Sequence, residues 1–524
     1  MMEEKQGKAV PTPTQATPQE NPPFFTPKPK PVYDITGRER GLLPLLWALA
    51  VLLVHLAFCA RVATAGLGIT VFIAAFYGVL IWYVGPEKFG GRSSLVLLGA
   101  IMLLSLTYSV YSNQWFRYYN VGALALLITI HVFGVAGGAQ YPWHRPIMLL
   151  ERTILLLDGL FGHMGATVAA VTCHEKKGGK RVLYALLGVA IGLPLLMFVT
   201  ILLATADALF NDAAGWAITF FFNTFGDLAV RLVLGLVLLP LGYSLYYTLR
   251  HPITLKATLL PKKDRKADPI LPVIVLALLD LLYALFAAVQ SAVLFGGAAY
   301  VEARGITFAD YARSGFFQLI FVAAMNLTIV MIALQFTKKE GKLWQLTRIL
   351  ATVTVALSGV MLASAAVRMT LYVTTYGLSF KRLLTYWGMA MVAAFFAIAL
   401  VKIWRRDFSF FKVAGAVALG GWLVLNFCNT DAIVARYNVE QYLQQQAAGE
   451  EMPKMNLDYL ADFLSYAALP ELSRLPADTP VYVTYRQDSA YTVGQLVAGR
   501  RQAAARDSAS WETWSVSACL AAYG

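Results

Sequence analysis

The stretch "ILPVIVLALLDLLYALFAAVQSAVLF", Ile270–Phe295, is apolar almost throughout and carries one acid, Asp280, ten residues from its start. A run of about 20 apolar residues is enough to cross a bilayer core. Ten further runs of this kind follow one another along the chain: Leu42–Ala60, Ala63–Val84, Ser94–Val110, Tyr119–Gly137, Val182–Ala206, Leu228–Tyr247, Phe316–Phe336, Ile349–Val367, Leu384–Trp404 and Phe410–Phe427. Each is expected to be a helix, because backbone groups in lipid need partners within their own segment. Outer-membrane barrel strands would instead be short and alternating.

Composition agrees with that reading. Of 524 residues, 58% are hydrophobic and only 14% charged, against about 25% charged in soluble domains. Mean hydropathy is +0.59. The expected fold class is all-α: a polytopic transmembrane helix bundle of about eleven spans.

Orientation follows from the cations. Most of the 43 Lys and Arg lie in the N-terminal tail and in the loops that share its side, including Arg145–Arg181, Arg250–Lys266, Lys338–Arg348 and Lys402–Lys412. The loops of the other side hold Arg61, Arg117, Arg304, Arg313, Arg368, Lys381 and Arg382. The positive-inside rule then places the N-terminus in the cytoplasm and the C-terminal region outside. The net charge of +13 reads as anchoring beside anionic lipid heads. Nucleic acid is not an expected partner, since the charge is spread over five loops and a tail. Ile147–Thr172 is apolar but broken by Glu151, Arg152, Asp158 and His163, and suits an interfacial helix.

Three regions are expected. Residues 1–40 are Pro-rich and read as a disordered, solvated cytoplasmic tail. Residues 41–428 form the bundle. Residues 429–524 form a small, mainly helical extracytoplasmic region that packs on the bundle's outer face. In it, "ARYNVEQYLQQQ" continues as a helix, and "MNLDYLADFLSYAALPELSRL" reads as another, ended by Pro470. "VYVTYR" is a weak strand signal, and "SASWETWSVSACLAAYG" reads as a capped final helix. Four Cys are too few for a disulfide framework; Cys428 and Cys519 share the outer side.

No GxSxG, Walker loop, CxxC or HExxH is present, and the six His show no metal-ligand spacing; no metal and no cofactor is expected. Charged and amide groups inside spans are costly and invite a functional reading. These are Asp280, Asn326 and Arg231, although Arg231 lies near the outer end of its span and would have to reach inward to meet Asp280. Four polar clusters fall on the outer side: Asp207–Asp227, Phe308–Leu319, Arg368–Leu383 and the stretch from Asn429. Arg there departs from the positive-inside rule. Arg forks bind carboxylates and phosphates bidentately, so the candidate ligand-binding residues are Arg313, Arg368, Arg382, Asn429, Asp431, Arg436 and Asn438. The plainer alternative is internal ion pairing that seals the loops onto the tail.

Three of these stretches carry a resemblance. "DYARSGFFQL", "RMTLYVTTYGLSFKRL" and "NTDAIVARYNVEQYL" resemble signature stretches of a bacterial membrane-protein family catalogued only as a domain of unknown function, in the four-one-seven-three and four-one-five-three group. The likeness runs from about Leu228 to Leu475 and loosely over the earlier spans. It implies an integral protein of the bacterial cell membrane and supplies no catalytic residues. Where the family tends to read "SxDAxP", this chain has "SYAALP", with Ala467 in place of the Asp.

Three functions remain open at this point. The first is binding or moving an anionic envelope component at the outer face, with Asp280 and Asn326 lining a path. The second is a membrane enzyme acting on a lipid-linked substrate, with Asp431 or an acid of Asp207–Asp227 as base. The third is a non-catalytic scaffold or signalling protein whose tail meets a partner.

Overall fold

A computed structural model describes residues 33–136, 138–143, 145–172, 188, 192, 195–196, 198–251, 267–302, 316–449, 459–460, 463–481 and 491–524. Among the described residues the architecture is almost wholly helical. The helices of the first half are α1 (Gly37–Cys59), α2 (Leu67–Val84), α3 (Arg92–Val110), α4 (Gln114–Ala136), α5 (Ile147–Phe161), α6 (Met164–Thr172) and α7 (Ala208–Arg250). Those of the second half are α8 (Ile270–Glu302), α9 (Phe316–Phe336), α10 (Gly341–Tyr376), α11 (Phe380–Trp404) and α12 (Phe410–Phe427). The C-terminal region adds α13 (Thr430–Ala447), α14 (Val493–Ala509) and α15 (Val516–Tyr523).

Ten helices among the described residues are long and apolar enough to cross a membrane by length and composition. Nine coincide with runs expected from the sequence. About half of Val182–Ala206 lies outside the described residues, and α9 contributes a shorter apolar helix, Ile320–Phe336. The tenth is Ile147–Thr172, which meets the same criterion but breaks into α5 and α6 at Gly162–His163. Glu151 accepts from the backbone N–H groups of Gln140 and Tyr141, just beyond the end of α4. His163 N–H donates to Ser244 Oγ, near the end of α7. Both ends of α5 are thus bonded near the C-terminal ends of α4 and α7.

Among the described residues the bundle has two large cores. One gathers Leu42, Tyr77, Tyr83, Leu104, Tyr108 and Tyr243 from the first half. The other gathers Leu276, Ala323, Val355, Ala365 and Phe396 from the second and extends into the C-terminal region through Val434, Leu464 and Leu472. The seam between the halves is partly polar. Asn120 of α4 donates to Asn426 Oδ1 of α12 at 2.7 Å and accepts from Trp422 Nε1 at 2.9 Å.

Two expectations change. Asp207–Asp227 is a helix rather than a loop: the Asp207 carboxylate caps its first turn by accepting from Phe210 N, and Gly226, at φ 71°, sets the kink before the spanning part. Pro470 does not end a helix. It sits in the first turn of the short helix Leu469–Leu472, where its missing N–H and fixed φ cost nothing. Helix α14, unforeseen from the sequence, starts with a capping box between Thr492 and Gln495. Among the described residues the strands are a two-residue pair, Pro480–Val481 with Tyr491–Thr492.

The C-terminal region is fastened to one end of the bundle by backbone bonds. Gly66 N–H donates to Glu512 O at 2.8 Å and Leu67 N–H to Trp514 O at 2.9 Å. A Cβ at residue 66 would run into the Thr513 and Trp514 carbonyls, so only Gly permits this approach. Gly66→Ala should release the segment around Glu512 while leaving the spans folded. Limited proteolysis in detergent would show new cleavage near residues 506–515; an unchanged digestion pattern would refute this dock.

Candidate functional site

At the end of the bundle that carries the C-terminal region, the chain leaves α12 through Asn429, whose φ of 48° and ψ of 56° are left-handed. Asn tolerates that conformation better than most residues. Its side chain makes no capping bond; what it does is turn the backbone so that Asp431 points inward. Asp431 is 2% exposed. Its Oδ1 accepts from Asn113 Nδ2 at 2.7 Å, and its Oδ2 from Ser465 N–H at 2.9 Å. Burial pushes the carboxyl up from its ordinary value, while the bonds from Ser465 and Asn113 and the charge of Arg500 pull it down. Asn113 also caps α4, accepting from Phe116 N–H. One carboxyl group thus joins the first half, α13 and the C-terminal region.

Asn438, two turns on, clamps the turn between α10 and α11. Its Oδ1 accepts from Leu378 N–H at 3.1 Å, and its Nδ2 donates to Leu378 O at 2.8 Å. Gly377 at that turn has φ 76°, and a Cβ there would collide with Asn438 Oδ1. Arg382 covers the same turn, donating to Tyr376 O and Gly377 O and stacking over the Tyr372 ring at 4.1 Å.

Beside Asp431 lies a cavity of about 230 Å³, lined by Ala63, Thr64, Ser112, Gln114, Arg117, Phe463, Leu464, Ser465, Tyr466, Arg500, Ala503 and Asp507. Three parts of the chain build it: the α1–α2 loop, the start of α4, and the C-terminal region with α14. Arg117 is 5% exposed. Its guanidinium donates to Ala63 O at 2.8 Å, Tyr111 O at 3.0 Å and Tyr108 O at 3.2 Å. Among the described residues no carboxylate lies within ion-pair distance of it. Carbonyl dipoles solvate the charge without cancelling it. Opposite, Arg500 donates to Leu464 O at 2.5 Å, and Asp507 Oδ2 accepts from the Tyr466 hydroxyl at 2.7 Å. Burial and the Asp507 carboxylate push the Tyr466 hydroxyl well above its usual value, so it stays a donor. The N-terminal turn of α4 adds the positive end of a helix dipole.

The remaining sequence candidates are dispersed. Arg436 is exposed and pairs with Glu440 at 2.9 Å, within a surface group that includes Arg474 and Glu471. Arg368 is buried in α10. Arg313 and most of Phe308–Leu319 lie outside the described residues. Arg231 does not meet Asp280. Its Nη1 donates to His55 Nδ1 at 2.6 Å and its Nη2 to Asp227 at 3.3 Å. Asp280 and Asn326 belong to one polar thread across α8, α9 and α10. Thr354 Oγ1 donates to Asp280 Oδ1 at 2.6 Å, Asn326 Nδ2 to Ser358 Oγ at 2.8 Å, and the Tyr283 hydroxyl to Asn326 Oδ1 at 2.7 Å. The Asp280 Oδ2 atom is buried with no hydrogen bond. Cys428 and Cys519 are separate free thiols.

Sequence reasoning singled out neither Arg500 nor Asp507, and it noted Arg117 only as an exception to the charge rule. The α14 residues meet Arg117 across almost four hundred residues of chain, and no local pattern announces that. As a base, Asp431 is poorly placed, because both its oxygens are occupied by donors.

Replacing Asp431 by Asn keeps the shape but turns an amide N–H toward one of those donors. A buried donor left without an acceptor costs about 1–3 kcal/mol. Asp431→Asn should therefore lower the apparent unfolding midpoint of the purified protein in chemical denaturant, and Asp431→Ala should lower it further. A midpoint equal to wild type in both variants would show that this clasp contributes nothing.

A family model described as "Domain of unknown function (DUF4153)" matches residues 98–475. No curated protein and no solved structure matches the chain. The matched region begins well before Leu228, covering α4 to α13 in full, and stops short of α14. Built of helices long and apolar enough for many membrane crossings, the chain belongs to this DUF4153 family.

Proposed function

We propose that this protein binds an anionic component of the bacterial cell envelope at the outer face of the membrane, through a phosphate or carboxylate group seated between Arg117 and Arg500. The observation that carries the reading is the buried Arg117 guanidinium, solvated by three carbonyls and facing a cavity. A buried charge costs several kcal/mol to desolvate, and a site that holds one uncancelled recovers part of that cost when an oxyanion arrives. Asp507 offsets one of the two cations. Asp431 offsets less than a free carboxylate would, since burial raises its affinity for a proton.

The cavity, at about 230 Å³, is smaller than the roughly 300–1,000 Å³ of sites that enclose whole drug-sized ligands. It suits a headgroup or terminal acid whose remainder lies outside. Orientation rests on charge. The opposite end of the bundle carries Lys88, Arg92, Arg250, Lys338, Lys339, Lys402, Arg405 and Arg406, which the positive-inside rule assigns to the cytoplasm.

The test uses glycerol phosphate as probe. Added to the purified protein in detergent, it should raise the thermal midpoint in a dose-dependent way. Gln114→Glu places a negative charge in the cavity wall, and at a helix N-terminus an acid does not harm folding. It should abolish the shift, and Arg500→Gln should weaken binding at least tenfold, or about 1.4 kcal/mol. An equal shift in wild type and Gln114→Glu would overturn the reading, as would no shift with any phosphate or carboxylate probe.

A further inference from the structure

Next to the dock formed by Gly66, three side chains of different type converge. His55 and Cys59 are four residues apart on the last turns of α1 and so share one face. Glu512 reaches them from the C-terminal region. Glu512 Oε1 lies 2.8 Å from His55 Nε2, and Cys59 Sγ lies 3.9 Å from the same nitrogen. One donor atom from each residue falls within 4.8 Å of the other two. For tetrahedral zinc, the bond lengths to N, O and S imply donor–donor edges of about 3.4–3.6 Å. Two edges here already fall within ~0.6 Å of that range.

The ligands are also held in place. The backbone of Glu512 is bonded to Gly66, Ser510 Oγ donates to Glu512 Oε2, and Trp511 stacks on the His55 ring at 5.9 Å with planes 13° apart. Cys59 is exposed, which leaves a fourth coordination position accessible. A set of one imidazole, one thiolate and one carboxylate selects zinc-class borderline cations over calcium or magnesium.

We propose that His55 Nε2, Cys59 Sγ and Glu512 Oε1 form a three-ligand site for a zinc-class divalent cation, with its fourth position open to solvent. The proposal is independent of the anion reading, and all three ligands lie outside residues 98–475 matched by the family model. Arg231 is the ion's competitor. Arg has no acceptor, so its 2.6 Å bond to His55 Nδ1 fixes the proton on Nε2, where it faces Glu512. Binding moves that proton to Nδ1, releases the Cys59 thiol proton to solvent, and turns Arg231 toward Asp227, already 3.3 Å from its Nη2. Metal-bound His rings need an acceptor at their second nitrogen. Gln at position 231 offers one, and Arg does not.

Cobalt(II) tests this in the purified, tag-free protein, because a thiolate ligand gives a charge-transfer absorption. Wild type should bind one Co(II) per chain with that absorption, and Zn(II) should displace it. Cys59→Ser should abolish the band and Cys428→Ser should keep it. Glu512→Gln should weaken binding at least tenfold. Arg231→Gln should tighten it about 10-fold or more, the scale of second-shell effects; a merely structural Arg231 gives no gain. Absence of stoichiometric Co(II) with thiolate absorption would overturn the site, as would a band that survives Cys59→Ser. Unchanged affinity in Arg231→Gln would overturn the imidazole's assignment as a ligand.

Discussion

A buried carboxyl group that accepts from two donors, one on each side of it, organises the end of this molecule where its parts meet. Asp431 takes Asn113 from the first half and the backbone of Ser465 from the C-terminal region. Without it, the Asn113 amide and the Ser465 N–H would each lose the acceptor that satisfies them, at a cost that rises with burial. The bond to Ser465 also fixes the adjoining Tyr466, which donates to Asp507 and lines the cavity. The wall of the cavity therefore depends on a contact made one layer beneath it.

The bundle below obeys a different economy. Two apolar cores hold the halves, and the seam between them is stitched by Asn120, Asn426 and Trp422, each satisfying another. In lipid a polar group must find its partner in the protein; Asn120 does so across helices, with Asn426 and Trp422, and Asn426 also along its own helix, at Trp422 O. Arg117 follows the same rule at the boundary. It spends its donors on the carbonyls of Ala63, Tyr108 and Tyr111, which ties three segments together and leaves its charge expressed in the cavity.

Hydropathy made most of the fold legible, because long apolar runs admit only helices in lipid. The start of α8 and both ends of α12 were visible in the letters. The segment Ala208–Phe225 was not: its acids and aromatics suggest a loop, yet Asp207 caps it and it winds as a helix up to Gly226. The candidate site was legible by residue type and not by register. Asp431 and Asn438 stood out as polar residues beside the last span, and both turned out to face inward. Their partners lie 318 residues away at Asn113 and 60 away at Leu378. Arg436, equally conspicuous, points outward to Glu440. The pairing of Arg117 with Arg500, and of His55 with Glu512, depends on how the C-terminal region folds back, which no local pattern encodes.

Which way this end faces decides what the cavity can meet. A single cysteine at Gln444, exposed on α13, in an otherwise cysteine-free protein, can be probed in intact cells with a membrane-impermeant maleimide. Lys342→Cys, exposed at the start of α10 on the opposite end, is its counterpart. Residue 444 should be labelled, and residue 342 should stay unlabelled until the cells are opened. Labelling at 342 and not at 444 would contradict this orientation, placing Arg117 and its cavity in the cytoplasm, away from any envelope ligand.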